Sequence, residues 1–204
     1  MNALVGVLLL SSAAVVEPAG PRTPIAHEGS VTILAGVRTV PQGAFAAGVT
    51  DRAKVPFGFD AQFGYQWDDH LAVALDATYG RDRYDLAGFT RLTVDAVTVG
   101  FLLLGTTRLA RTFSLYGGLG GVHNVTAFKS TGAQEAYSEG STEAGLLCIG
   151  ARWALGRRFG VQLEDRYTLA YADSGGQGVV NVGGNLAALG FWISIPPEQA
   201  FENH

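Results

Sequence analysis

The chain has 204 residues, of which 48% are hydrophobic and only 16% are charged, and its formal net charge is −4. Soluble domains usually carry about 25% charged residues, so this composition argues against an ordinary soluble protein, and the negative charge argues against nucleic acid as a partner. No run of roughly 18 apolar residues follows the N-terminal region, and we therefore predict no transmembrane helix in the mature chain.

The N-terminal region is typical of an export signal. Residues 3–10 form a compact apolar run, and small residues extend it until Glu17 and Pro18 end it. The run is too short to span a bilayer but fits the apolar part of a secretory signal peptide, although no Lys or Arg precedes it. We predict a signal peptide over about residues 1–20, followed by a short periplasmic segment, 21–28. An N-terminal membrane anchor and a misassigned start codon are the alternatives.

Apolar residues recur with a period of two from residue 29 onward. In residues 57–67 every odd position is apolar or aromatic, whereas the even positions hold Gly, Asp and Gln. Such alternation predicts a strand with one apolar face. Residues 71–80 repeat the pattern after a turn. The predicted strands are residues 30–40, 57–67, 71–80, 92–106, 113–124, 143–155, 159–171 and 184–195.

The connections between these strands alternate in length. The short ones are residues 68–70, 108–111 and 156–158, and the long ones are residues 41–55, 81–91, 125–142 and 172–183. This alternation is typical of membrane barrels with periplasmic turns and external loops. We predict an all-β fold, an eight-stranded antiparallel up-and-down transmembrane β-barrel over residues 29–195, with a short polar tail over 196–204.

The polar face of the strands predicts a barrel interior. It consists of Gly, Ala, Ser, Thr, Gln and a few charges, and lysine occurs only at Lys54 and Lys129. A wet outer surface would carry Lys and Glu, whereas small residues suit the narrow lumen of eight strands. Charges that point into such a lumen need partners, and we expect a network that plugs the lumen rather than gating it. Its predicted members are Arg38, Asp60, Asp76, Arg152, Glu164 and Arg166.

Aromatic residues collect near the strand ends, where membrane barrels carry girdles of aromatic side chains. Asp165 breaks the pattern, because alternation puts it on the lipid side. We expect it either to lie near the interface or to be redirected by a bulge. The predicted girdle consists of Trp67, Phe113, Trp153 and Phe159 beside short turns, and Tyr167 toward the long loops.

Three segments carry a resemblance to a known family. Residues 150–167, GARWALGRRFGVQLEDRY, form a strand that ends in an aromatic residue, a short turn and a strand with inward Glu and Arg. The glycine-rich strand 115–121 and the hairpin 66–80 match as well. Over about residues 29–195 the chain resembles the OmpA-like outer-membrane β-barrel family of small porin-like barrels. The resemblance implies the fold and the outer membrane. We expect no peptidoglycan-binding domain of the kind that longer members carry.

The sequence gives little support for catalysis or metal binding. The four histidines share no metal-ligand spacing, so we predict no metal site and no cofactor. A lipid-modifying enzyme would need a nucleophile, a base and an orienting group within reach of one another. His123 with Ser130, Ser138 or Ser141 is the one candidate set, and no nucleophile motif surrounds these serines. We therefore predict that the protein is not an enzyme.

The favoured function is a structural or surface-interaction role in the outer membrane, with a plugged lumen. A narrow channel for small or hydrophobic solutes is the main alternative, followed by a lipid-modifying enzyme. A soluble lipocalin-like barrel would need the reverse pattern, an apolar lumen and a polar exterior. The expected partners are outer-membrane lipids, and the barrel-assembly machinery and periplasmic chaperones during biogenesis. The sequence names no extracellular ligand.

Overall fold

The computed structural model describes residues 20–39, 57–86, 90–132, 136–173 and 179–196. The predicted signal peptide, the predicted loop 41–55 and nearly all of the tail lie outside the described residues. No helix in the described part is long and apolar enough to cross a membrane. The strands are β1 (Gly29–Thr39), β2 (Phe57–Gln66), β3 (Leu71–Leu86), β4 (Thr90–Ala110), β5 (Phe113–Thr131), β6 (Ala136–Ala154), β7 (Phe159–Leu169), β8 (Tyr171–Asp173), β9 (Val179–Asn181) and β10 (Gly184–Ile195).

Eight of these strands close into one antiparallel barrel, in the order β1-β10-β7-β6-β5-β4-β3-β2. β1 closes it by pairing with the last strand as well as with the next one, since Gly29 lies opposite Ile195 on β10 and Tyr65 on β2. β8 and β9 form a separate two-stranded ribbon between β7 and β10. The predicted eight-stranded up-and-down barrel is confirmed.

Side chains alternate between the two sides of the wall, as the period of two requires. Outward side chains are large, apolar and exposed: Leu75 and Phe101 are 64% exposed, and Phe191 is 66% exposed. Inward side chains on the same strands, such as Asp76 and Leu102, are buried. A continuous apolar belt on the outside is the surface that lipid would cover.

Four strands are longer than the sequence predicts. β3, β4, β5 and β6 have 16, 21, 19 and 19 residues, and they absorb most of the predicted loops 81–91 and 125–142. The prediction failed because the outward side chains at the outer ends of these hairpins are mostly polar, so the apolar outward face ends while backbone pairing continues. The predicted loop 172–183 likewise contains β8 and β9.

The wall therefore has two halves. The long half is β3 to β6, and the short half is β7, β10, β1 and β2, with 11, 12, 11 and 10 residues. The interior of the long half is mainly apolar, which differs from the uniformly small and polar lumen that we expected. Its buried cluster contains Ala72, Ala74, Leu102, Leu104, Tyr116, Val122, Leu146 and Cys148.

Candidate functional site

The centre of the lumen is occupied by one guanidinium and three carboxylates, here called the central cluster: Asp60, Asp76, Glu164 and Arg166. Arg166 Nη1 lies 2.7 Å from Asp60 Oδ1 and 2.9 Å from Asp76 Oδ1. Its Nε donates to Glu164 Oε1 at 2.9 Å. All four side chains are at most 2% exposed. Three strands of the wall, β2, β3 and β7, are thus tied to one another across the interior.

Neutral donors complete the hydrogen bonding of the Glu164 carboxylate. Gln62 Nε2 donates to both carboxylate oxygens at 3.1 and 3.0 Å. Tyr116 donates its hydroxyl to Oε2 at 2.6 Å, and Gln162 Nε2 donates to the same oxygen at 3.1 Å. Buried polar groups are costly unless they are hydrogen-bonded, and these donors meet that demand. The sequence reasoning missed them, although Tyr116 and Gln162 fall on the inward face of their strands.

Arg152 on β6 lies nearer to the short turns than the central cluster does. Its Nε donates to Gln162 Oε1 at 2.8 Å, and its guanidinium carbon lies 4.9 Å from the centre of the Tyr116 ring. The predicted network member thus joins the cluster through a neutral amide and an aromatic face. Stacking on an aromatic ring is a common arrangement for arginine.

Arg38 occupies a separate position toward the long hairpins. It forms an ion pair with Asp82 and donates to the backbone carbonyl groups of Val182 and Gly183. Sequence reasoning missed Asp82 because it placed residues 81–91 in a loop. Continuing the alternation of β3 by a few residues would have directed Asp82 inward. The predicted set therefore divides into a central cluster and a second pair near the external end of the lumen.

The opposite end of the barrel is covered by residues 20–28, here called the strap. Arg22 and Glu28 form a bidentate ion pair with distances of 2.8 and 2.6 Å, and both side chains are buried. Ser194 on β10 donates its hydroxyl to Glu28 Oε2 at 3.0 Å. Across the mouth, Arg108 Nη2 donates to the Pro24 carbonyl at 2.9 Å. The strap thus connects both halves of the wall.

The strap carboxylate is held in its charged form. Burial acts to raise the pKa of Glu28, but the hydrogen bonds from Arg22, the Ile25 N–H and Ser194, together with the Arg22 charge, outweigh it and lower the pKa below its usual value of 4.5. A carboxylate that accepts several hydrogen bonds beside a guanidinium is favoured as the anion. The ion pair therefore depends on pH in the acid range.

The predicted girdle residues lie on the outward face. Trp67, Trp153 and Phe159 are 61%, 58% and 52% exposed beside the short turns. The Phe113 and Trp153 rings pack edge to face with their centres 6.1 Å apart. Tyr167 lies toward the other end of β7, half-buried, opposite Leu147. A ring of exposed aromatic residues near the short turns matches the position of a membrane interface.

Asp165 points outward, as alternation requires. Its neighbours in the sheet are Ile149 and Ala187, in regular register on both sides. No bulge redirects it within this part of the described sheet, so that alternative was wrong. Asn185 Nδ2 donates to Asp165 Oδ1 at 2.7 Å. A single amide partner lowers the cost of placing this carboxylate on the outer wall.

His123 also lies on the outward face. Its Nδ1 is 2.9 Å from Glu143 Oε1, and both side chains are exposed. Ser138 lies five positions along β6 from Glu143, which is about 16 Å at the rise of a strand. His123, the candidate base, therefore contacts a carboxylate and lies far from Ser138. Among the described residues no cluster of His, Cys, Asp and Glu is arranged to hold a metal ion.

A family model described as "Outer membrane protein beta-barrel domain" matches residues 5–188. The chain belongs to this family. No curated protein matches the sequence. Membership implies the outer membrane as the location of the protein. The short turns and the strap then face the periplasm, and the long hairpins face outward, because barrels of this kind have short periplasmic turns and longer external connections.

Solved structures agree on the fold. The outer membrane protein OprG from Pseudomonas aeruginosa has a TM-score of 0.59 at 17% identity, with 85% of this chain and 98% of that chain covered. Neisserial surface protein A has a TM-score of 0.56 at 14% identity, covering 84% and 99%. Ail from Yersinia pestis, solved with the heparin analogue sucrose octasulfate, has 0.52 at 19%, covering 83% and 100%. At these identities the likeness concerns the fold alone.

Proposed function

We propose that this protein is a closed outer-membrane barrel with a structural or surface-interaction role, and that its lumen does not conduct. The observation that carries the proposal is the central cluster, in which Arg166 joins carboxylates from three strands across the lumen. A barrel of eight strands has an interior just wide enough for side chains to fill. Side chains that meet across so narrow an interior support a lumen closed to water and ions.

Two further layers support closure. Toward the periplasm, the strap covers the mouth with a buried ion pair between Arg22 and Glu28. Beside the central cluster, Leu102, Leu104 and Leu146 fill the long half of the lumen. One cavity toward the external end, between Arg38 and Arg166, has a volume of only about 20 Å³, which is room for a single water molecule.

The external hairpins are the natural place for an interaction role. β4 and β5 extend well past the apolar belt and pair with each other as far as Arg91 and Thr131. Ail, which shares the fold, is named as an attachment invasion locus protein and was solved with a heparin analogue. The signal peptide, and assembly with the help of periplasmic chaperones and the barrel-assembly machinery, belong to the same proposal.

Conductance in planar lipid bilayers tests closure. We expect no discrete current steps from the full-length protein in concentrated KCl. The double variant Tyr116→Ala/Arg152→Ala removes two side chains from the lumen, and we expect it to open conducting steps. Phe101→Ala removes a similar ring from the lipid face and serves as the matched control, with no steps expected. Heat-dependent gel mobility checks that each variant is folded.

The channel alternative makes the opposite prediction. A conducting barrel would give steps in the unmodified protein, and their size would change in the lumen variant but not in Phe101→Ala. That result would contradict closure and make the protein a narrow channel.

A further inference from the structure

The outer wall of the long half changes character where the apolar belt ends. On β3 and β4 the last outward pair of the belt is Tyr79 and Val97. Two residues further along the same face, Arg81 lies opposite Asp95, and then Arg83 lies opposite Thr93. Lys129 on β5 lies beside Thr93 in the same cross-strand row. A group of cations therefore begins directly above the lipid-facing surface.

These side chains line a shallow groove of about 320 Å³ on the outside of the barrel. Among the side chains that the structure describes, its charged lining residues are four cations and one carboxylate, in a chain whose formal net charge is −4. The groove is therefore positively charged, although the chain as a whole is negatively charged. The lining residues are Arg81, Arg83, Arg91, Thr93, Asp95, Lys129 and Thr131.

Asp95, the carboxylate among these lining residues, is already engaged. Arg81 donates from Nε and Nη2 to Asp95 at 2.6 and 3.0 Å, and Tyr79 donates its hydroxyl to Asp95 at 2.8 Å. Asp95 therefore fixes Arg81 in place at the lower edge of the groove. Arg83 and Lys129, further from the belt, are exposed and extend the positive charge along the wall.

The direction of these side chains favours one kind of partner. They project sideways from the wall, on the same face as Leu75 and Phe101, rather than upward from the hairpin tips. Successive outward residues of a strand are about 6.6 Å apart, so the cations begin within one step of the belt. At that level a side chain on the outside of a membrane barrel meets lipid headgroups.

We propose that this groove binds the phosphate groups of lipid headgroups in the outer leaflet. Guanidinium groups hold phosphate oxygens through paired hydrogen bonds, and lysine adds a mobile point charge. Threonine hydroxyl groups at Thr93 and Thr131 are further donors in the groove. The inference goes beyond closure of the lumen, because headgroup binding on the outer wall is independent of conduction.

The test compares lipid enrichment around matched variants. The full-length protein is reconstituted into phosphatidylcholine vesicles that contain a minority of fluorescent phosphatidic acid, and the amount of labelled lipid that stays bound to the protein after mild detergent extraction reports its enrichment. The variant Arg83→Gln/Lys129→Gln removes two charges from the groove. The control Arg157→Gln/Arg158→Gln removes two charges from a periplasmic turn. Heat-dependent gel mobility verifies folding.

We expect the groove variant to lose enrichment roughly five-fold, allowing for screening by salt, and the control to retain it. Equal enrichment in the unmodified protein and the groove variant would overturn the proposal, as would an equal loss in the control. A third result would also overturn it: inorganic triphosphate bound by the protein in pure phosphatidylcholine vesicles, without any enrichment of phosphatidic acid. That outcome would assign the groove to a soluble anion.

Discussion

The short half and the long half of the barrel wall fill the lumen in different ways. The short half contributes most of the ionised interior, with Asp60, Glu164 and Arg166 paired to one another. The long half fills its share mainly with leucine and alanine, and then continues past the apolar belt as paired hairpins. Charge pairing and hydrophobic packing thus close the same lumen side by side.

The difference indicates which substitutions should destabilise each half. A buried charge is stable only while its partner is present, so the short half depends on the guanidinium of Arg166 that its carboxylates share. An apolar interior is stable only when its strands pack closely. The long half therefore depends on glycines at positions where a β-carbon would collide with a neighbouring strand. The two halves should therefore respond to different substitutions.

The largest effect is expected from Arg166→Met in the central cluster. The substitution leaves three buried carboxylates without their shared guanidinium, and we expect a loss of about 3–5 kcal/mol in the free energy of unfolding. Arg152→Met is the control, because it removes a bond to the neutral Gln162, and we expect about 1–2 kcal/mol. Urea unfolding from vesicles, followed by tryptophan fluorescence, measures both. Equal losses would show that the cluster is no more important than its neutral surroundings.

A smaller effect is expected from Gly120→Ala in the long half. A β-carbon at Gly120 would lie 2.0 Å from the carbonyl oxygen of Phe101, whereas a β-carbon at Gly121 meets no atom within 4 Å. We expect Gly120→Ala to destabilise the barrel by about 1–3 kcal/mol through overpacking. Gly121→Ala should change the stability by less than about 0.5 kcal/mol. The same unfolding assay compares the pair, and similar values would mean that β4 and β5 adjust freely.

The smallest effect is expected at the strap, which joins the two halves. The pKa of Glu28 is lowered in the folded protein, so its contribution to stability is complete above its usual pKa of 4.5 and is lost as the pH falls through the folded value. Hydrogen exchange at the Thr23 and His27 amides, corrected for intrinsic rates, should therefore accelerate only when the pH falls below the usual pKa of 4.5. Glu28→Gln should exchange quickly at every pH. Protection of the unmodified strap that does not change with pH would contradict this role of Glu28.

Local pattern predicted much of the fold. The alternation at residues 57–67 and 71–80 was sufficient to orient β2 and β3, because a strand places successive side chains on opposite sides whatever its neighbours are. The same rule put Asp60, Asp76, Glu164 and Arg166 on the inward face. It failed at the outer ends of β3 to β6, where backbone pairing continues although the outward face is no longer apolar.

Partner choice could not be predicted in the same way. Arg38 was grouped with the central carboxylates, but it lies against Asp82 and the carbonyls of Val182 and Gly183. Arg22 and Glu28 gave no periodic signal, because the strap is neither strand nor helix. Their pairing depends on how residues 20–28 cross the open end of the barrel.

The sequence by itself determined the fold class, the lipid-facing side of each strand and the inward direction of the main charges, because these depend only on the period of two. The tertiary structure decided which charges meet. Arg166 and Asp60 are 106 positions apart in the chain, and only closure of β1 onto β10 and β2 brings their strands within reach across the lumen. The same closure forms the periplasmic mouth that the strap covers, whereas the cations above the belt lie beside one another because of the register of the consecutive strands β3, β4 and β5.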